Sequence, residues 1–292
     1  MNTLREVIGQ LSLAFLLFGC GGGTTRTSPP VSPIPTTPTV PAVVSPPASA
    51  WTFAYAPGAL RYRISRAAVI ESQSDSGSKQ EASTNLTHEL VTLSATGDSG
   101  ILFTAVVDTF TTTTQGLIGS TQAVQLPVQV TGSLASHALT INSDSTTGVG
   151  CNPVVSTLMS DLHSLLTRFP TQLSQGMAWR DSVDSNGCQA AIPTTSHTVS
   201  SYSVSGEADY ESRRVLLIQR SDTVQAHGEG AQQQHPLKLD VRGTGNAVYY
   251  LDTNSGRVVR ITSGQDLGLT IITSAKVYRF RQRSSHDFRL EP

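Results

Sequence analysis

A surplus of charge is the first thing missing from this chain of 292 residues. Its 20 Lys and Arg stand against 21 Asp and Glu, a net of −1. A nucleic-acid binder needs excess basic side chains to displace counterions, so near-neutrality argues against that class. Charged residues of either sign are also scarce, at 14%, which excludes a charge-rich disordered protein and a coiled coil. Aromatics make up only 6%, which counts against the exposed Trp and Tyr platforms common in carbohydrate binding. No apolar run beyond the N-terminal one approaches the roughly 18 residues of a membrane-spanning helix.

What the chain does have begins with an address. Arg5 gives a positive start, an apolar stretch follows over about 7–18, and the tract closes on Leu17-Phe18-Gly19-Cys20. Leu17, Gly19 and Cys20 resemble the lipobox of bacterial lipoproteins; Phe18 departs from it, and Glu6 weakens the charge of the start. The resemblance implies cleavage after residue 19 and acylation of Cys20, which becomes the membrane anchor. Gly21, which is not Asp, implies the outer rather than the inner membrane by the sorting pattern of that family. An ordinary secretory signal with an incidental cysteine is the rival reading.

Residues 20–50 then read as a tether, holding 8 of the 15 prolines. Proline removes donors and biases its neighbours to extended backbone, so a stretch of this kind spans roughly 90 Å at about 3.1 Å per residue.

Residues 51–292 read as a mainly β body: a curved antiparallel sheet or open barrel with one packed amphipathic helix. Alternating runs predict strands over 60–71, 86–95, 101–112, 123–131 and 137–142. A second group covers 178–184, 195–207, 213–219, 238–251, 258–263 and 269–281. Asp252-Thr253-Asn254-Ser255-Gly256 predicts a hairpin turn. Asn152 and Pro153 open a helix over 153–169, and Pro170 closes it. Val154, Val155, Leu158, Leu162, Leu165, Leu166 and Phe169 form its apolar stripe, which must pack on the sheet. The helix separates two strand groups of similar length that share no residue-level repeat.

With Cys20 acylated, Cys151 and Cys188 remain as an even pair flanking the helix. Their disulfide would close a loop of roughly 37 residues and contribute about 3–4 kcal/mol. Zinc is the rival, but no C-x-x-C or histidine cluster accompanies them. Gly97-Asp98-Ser99-Gly100 looks like the nucleophile segment of chymotrypsin-like proteases, yet His88 alone lies upstream, so a polar turn explains it. The seven histidines show no metal-binding spacing; His227 and His235 flank a stretch, Gly228-Glu229-Gly230, that reads as flexible. Arg279, Arg281 and Arg283 share one strand face, a candidate anion contact or simply a solvated face.

The segment from Phe169 to Trp179, with Gly176 before the tryptophan, resembles uncharacterised bacterial envelope lipoproteins, as does Leu251-Asp252 leading to Gly256-Arg257. The architecture resembles that of the LolA and LppX carriers, by analogy of fold alone. Together these imply a lipid-anchored envelope protein without cofactor, metal or catalytic residue. Its partners would be the membrane and either a lipid or another envelope protein, not nucleic acid. Binding an apolar ligand makes Leu158, Leu162, Leu165 and Leu166 the ligand-facing candidates; a structural or assembly role is the alternative.

Overall fold

In the computed structural model the described residues are 50–73, 82–96, 101–115, 126–135, 139–142, 152–189, 192–232, 235–274 and 276–292. The acylation candidate Cys20, the tether up to residue 49, the 97–100 segment and Cys151 lie outside them, and the tether's last residue, Ala50, already belongs to a strand.

Before the helix come β1 (Ala50–Thr52), β2 (Gly58–Gln73), β3 (Ala82–Thr96), β4 (Ile101–Gln115), β5 (Val128–Leu134) and β6 (Leu139–Asn142). Helix α1 (Pro153–Leu165) follows, and then β7 (Gln172–Ser174), β8 (Ala178–Gln189), β9 (Ile192–Tyr210) and β10 (Arg213–Gln232). The chain finishes with β11 (His235–Asp252), β12 (Arg257–Thr273) and β13 (Val277–Leu290). Eleven strands form one antiparallel sheet in the order β6-β5-β4-β3-β2-β13-β12-β11-β10-β9-β8. The fold is therefore the mainly β, curled sheet with one packed helix that the alternation predicts.

The order has a simple origin. Two meanders, β2 to β6 and β8 to β13, join where β2 pairs with β13, so the two strand groups are halves of one sheet. The chain leaves the first meander at its outer edge, β6, and enters the second at its outer edge, β8. The helix that links them must therefore cross the concave side, where it touches β5 and β8.

Alternation sets the faces. On β2, Leu60, Tyr62 and Ile64 point inward and are buried, while Arg61 and Arg63 point out. The outward face of β13 carries Arg279, Arg281, Arg283, Asp287 and Arg289. No helix among the described residues is long and apolar enough to cross a membrane.

The helix begins as its sequence requires. Asn152 Oδ1 accepts from the N–H groups of Val154 (3.0 Å) and Val155 (3.3 Å), with Pro153 at the first position. It ends earlier than the stripe suggests, at Leu165. The Thr167 hydroxyl shares its proton between the carbonyls of His163 and Ser164, and the Tyr55 hydroxyl between those of Leu165 and Thr167. These bonds satisfy the last turn without further helix. Phe169 thus leaves the helix and sets its ring edge-on to Tyr249 (5.2 Å) and Phe53 (5.6 Å).

The sequence misreads the second meander. β10 runs on through Gly228-Glu229-Gly230, read above as flexible, to Gln232. Likewise β12 passes through Gly264 and Gly268 without a break, and it ends at Thr273 with β13 beginning at Val277, both inside the expected 269–281 strand. Glycine is a turn signal in isolation, but a paired strand keeps it where the sheet bends tightly. The expected hairpin at Asp252 is present: Asp252 Oδ1 accepts from Asn254 N and Ser255 N. Gly256 is required twice there, by its φ of 62° and because a Cβ would lie 2.3 Å from the Ala54 carbonyl oxygen.

Candidate functional site, a cleft beside the helix

Helix length decides where the interior is filled. Thirteen residues span about 20 Å, whereas the 20 residues of β10 span about 65 Å. The helix can plug only one end of the curl. Its stripe (Val154, Leu158, Leu162 and Leu165, each at most 1% exposed) packs with Tyr62, Val91, Phe103 and Val130 of the first meander and Tyr249 and Phe288 of the second. Beyond the helix a separate apolar cluster, built on Leu239, Val241, Leu267, Leu269 and Ile271, fills the other end.

Between the two clusters the concave face turns polar. On one side, Arg66 of β2 meets Glu89 of β3 (2.8 Å) and Asp161 of α1. Both carboxyls are buried. Burial and the facing Glu89 hold the Asp161 carboxyl well above the usual carboxylate range, so it stays protonated. Burial works on Glu89 too, but the hydrogen bond from Asp161 and the Arg66 charge outweigh it and hold Glu89 ionised. His286 stands opposite Arg66 in the β13 register. Burial, reinforced by Arg66 and Arg220, pushes its pKa down to about 3, and the ring is neutral. On the other side, Arg220 Nε lies 3.0 Å from Asp222 Oδ2, and Ser200 Oγ donates to Asp222 Oδ1 at 2.7 Å. Arg220 also donates to Tyr249 Oη, which is 3.0 Å from Thr167 Oγ.

A cleft of about 280 Å³ opens on this second side. One wall is the helix face turned away from the leucine stripe, with Ser156, Ser160, His163 and Ser164. The opposite wall is β9 with Thr194, Ser196, Thr198 and Ser200, and Arg220, Asp222, Val224, Ala226 and Leu267 lie beneath. A second cleft of about 240 Å³ continues past Tyr202 and His163 and is bordered by Leu166 and the bidentate Arg168–Asp181 pair (2.8 and 2.8 Å). Tyr202 belongs to both and stacks on Trp179 at 4.9 Å, 3° from parallel. Burial lowers the His163 pKa, so this ring is neutral as well.

The candidates from the sequence fall as follows. Leu158, Leu162 and Leu165 lie in the packed core and face neither cleft; Leu166, at the helix C-cap, borders the smaller one. Cys188 lies near the end of β8, where its N–H donates to Ser156 Oγ (3.1 Å), which donates in turn to its carbonyl (3.4 Å). Its expected partner, Cys151, is outside the described residues. Arg281 pairs with Asp266, and Arg283 with Glu71, so these two guanidiniums of the arginine face are neutralised in place. His227 lies on β10 beside Asp240 (3.3 Å) rather than in a flexible loop, and His197 pairs with Asp184 (2.7 Å). No group of three metal-ligating side chains occurs among the described residues.

Sequence reasoning missed the cleft, though a signal existed. Ser156, Ser160 and Ser164 recur every four residues, one hydroxyl per turn opposite the leucines. Arg220, Asp222 and Ser200 carry no such signal, since only the sheet's register brings them together.

No protein-family model matches this chain, and no curated protein matches it. Among solved structures it is similar to the Neisserial surface protein A at 11% identity. That match covers 80% of this chain and 98% of the other, with a TM-score of 0.19. It is similar also to a putative exported protein with a YmcC-like fold from Bacteroides fragilis, again at 11% identity, covering 83% and 98%, with a TM-score of 0.26. Likeness at this level carries no functional argument.

Proposed function

We propose that the chain is a bacterial envelope lipoprotein, anchored through Cys20, whose β body binds a small ligand in the cleft between α1 and the second meander. The observation that carries the binding reading is the cleft itself. A packed core closes both ends of the curl, yet the wall between them is left as hydroxyls around the buried Arg220–Asp222 pair. Hydrogen-bonding capacity held open in this way is what ligand sites use for orientation. The lipobox-like Leu17, Gly19 and Cys20 support the anchor, and Gly21 favours the outer membrane. The tether supports a body held off the membrane surface. An apolar cargo fits less well than the leucine stripe alone suggests, because that stripe is occupied by core.

The reading also includes a disulfide between Cys151 and Cys188. Ser156 ties the first turn of α1 to Cys188, and residue 151 immediately precedes the helix cap. The role is binding rather than catalysis, with Arg220 and Asp222 engaged with each other. Two measurements on the full-length protein test it. Cys20→Ala should move the protein out of the membrane fraction; retention there overturns the anchor. Native mass spectrometry of protein released from membranes should show a bound small mass that Ser160→Trp removes. An empty spectrum for the unaltered protein counts against the cleft as a binding site.

A further inference from the structure

We propose that the ligand of this cleft is an uncharged, polyhydroxylated molecule of saccharide type, one or two rings in size, oriented by Ser160, Ser164, Thr198 and Ser200. The inference deepens the binding reading above and rests on it.

Size comes first. At interior packing density about 280 Å³ takes roughly 10 to 20 non-hydrogen atoms, enough for one ring, and a second ring would need the adjoining cleft of about 240 Å³. Charge comes second. Arg220 is neutralised by Asp222 at 3.0 Å, and His163 is neutral, so these groups offer no net charge to an ionic ligand. Such a site discriminates by hydrogen bonds.

Hydroxyl density comes third. Serine recurs once per turn along the helix wall, and Thr198 and Ser200 project from the facing strand. A hydroxyl donates once and accepts twice, so two facing hydroxyl walls match a ligand whose rim is itself hydroxyls, with Ser200 acting as an acceptor because its proton goes to Asp222. The floor is different. Val224 and Ala226 are apolar, and the Tyr202 ring borders the same space, braced by Trp179. A sugar ring has this division, with polar edges and a C–H face. An acyl chain does not, and the direction left open to it, past Tyr202, runs along the Arg168–Asp181 ion pair. The low aromatic content of the whole chain says little here, because one braced ring in the wall suffices.

The test uses full-length protein in lauryl dimethylamine oxide and ligand-observed NMR. The probes are methyl β-glucoside, methyl β-galactoside, N-acetylglucosamine and lactose, with decanoate and glycerol 3-phosphate as the other arms. At least one saccharide should bind, and Ser160→Leu, which fills the cleft from the helix side, should weaken it at least tenfold. Should that variant fold poorly, Thr198→Val with an unchanged melting temperature takes its place. Decanoate or glycerol 3-phosphate binding that Ser160→Leu abolishes, without saccharide binding, overturns the ligand class and leaves the cleft standing. Saccharide binding that neither substitution changes overturns the placement. Binding of no probe overturns the saccharide proposal, and if no bound mass is found either, the cleft reading falls with it.

Discussion

Around α1, the curl is filled with large side chains: Tyr62, Tyr249, Phe288, Leu158, Leu162 and Leu165 are all essentially buried there. At the far end the fully enclosed residues are Leu239, Leu269 and Ile271, and the inward face is thinned by Gly228, Gly230 and Gly243. The first end is packed by inserting an element, and the second by bending the sheet until its own strands meet. Gln189 Nε2 of β8 donates to Gln282 Oε1 of β13 at 3.2 Å, although four strands separate β8 from β13 in the sheet order. A bend that tight leaves no room for a helix. The helix end, too wide to close alone, must have one. The polar belt and the cleft sit where one solution gives way to the other.

The belt gives the largest expected effect. Arg66→Leu leaves Glu89 and Asp161 facing each other without their cation, and breaking a buried ion cluster this way costs about 3–5 kcal/mol. Urea denaturation at pH 7 reads it, and a loss under about 1 kcal/mol would mean that the belt is not a joint between the two ends. One member of the belt, His286, should also make stability fall with acid. His286 has a folded pKa of about 3 against 6.5 for the free side chain, so the unfolded chain binds the extra proton between those values. Stability is then lost as pH drops from 6.5 toward 3, and His286→Gln should flatten the melting-temperature profile in that window.

Leu162→Ala probes the inserted element. Leu162 is fully buried in the middle of the stripe, and its truncation should cost about 2–5 kcal/mol through lost burial and a cavity. If the helix end depends on α1 as argued, the same variant should raise hydrogen exchange in β4 and β5 before β11 and β12.

Gly243→Ala probes the bent end. A Cβ there would lie 2.1 Å from the Asp266 carbonyl oxygen and 2.8 Å from Leu267 Cα, which are backbone atoms that cannot simply rotate away. One methyl group should therefore cost about 1–3 kcal/mol, the opposite of the usual gain from replacing strand glycine. A stabilising Gly243→Ala would show that the far end is looser than described, and the contrast between the two ends would fail.

How much of this was legible in the sequence follows the same division. The helix end was readable because its information is local: a cap at Asn152, a proline at 153, and leucines at helical spacing. Only its last turn was overcalled, since Tyr55, about 110 residues away, supplies the bonds that let the chain leave the helix. The bent end was misread at the glycines of β10 and β12, whose role appears only once neighbouring strands press on them. The cleft lay between these cases. Its serine repeat was visible on the helix, but Arg220 and Asp222 acquire partners through β-sheet register, which one-dimensional alternation does not specify.

The smallest effect belongs to the outward face of β13. Arg281 binds Asp266 through Nε (2.8 Å) and a terminal nitrogen (2.5 Å), and this hydrogen bond holds the Asp266 pKa below its ordinary value. The geometry is good, yet the two side chains are 49% and 40% exposed. Water and salt screen exposed pairs, and ordering two long side chains offsets most of the attraction. Arg281→Ala should therefore leave the denaturation midpoint at pH 7 unchanged within error. What little it removes there should disappear on the acid side. A carboxylate with a depressed folded pKa contributes stability above its unfolded value of 3.8, lost as pH falls through the folded value, so wild type and variant should converge in strong acid. A large loss at pH 7 would mean that the arginine ladder braces the sheet from outside, and that bending the far end depends on its convex face as much as on the glycines within.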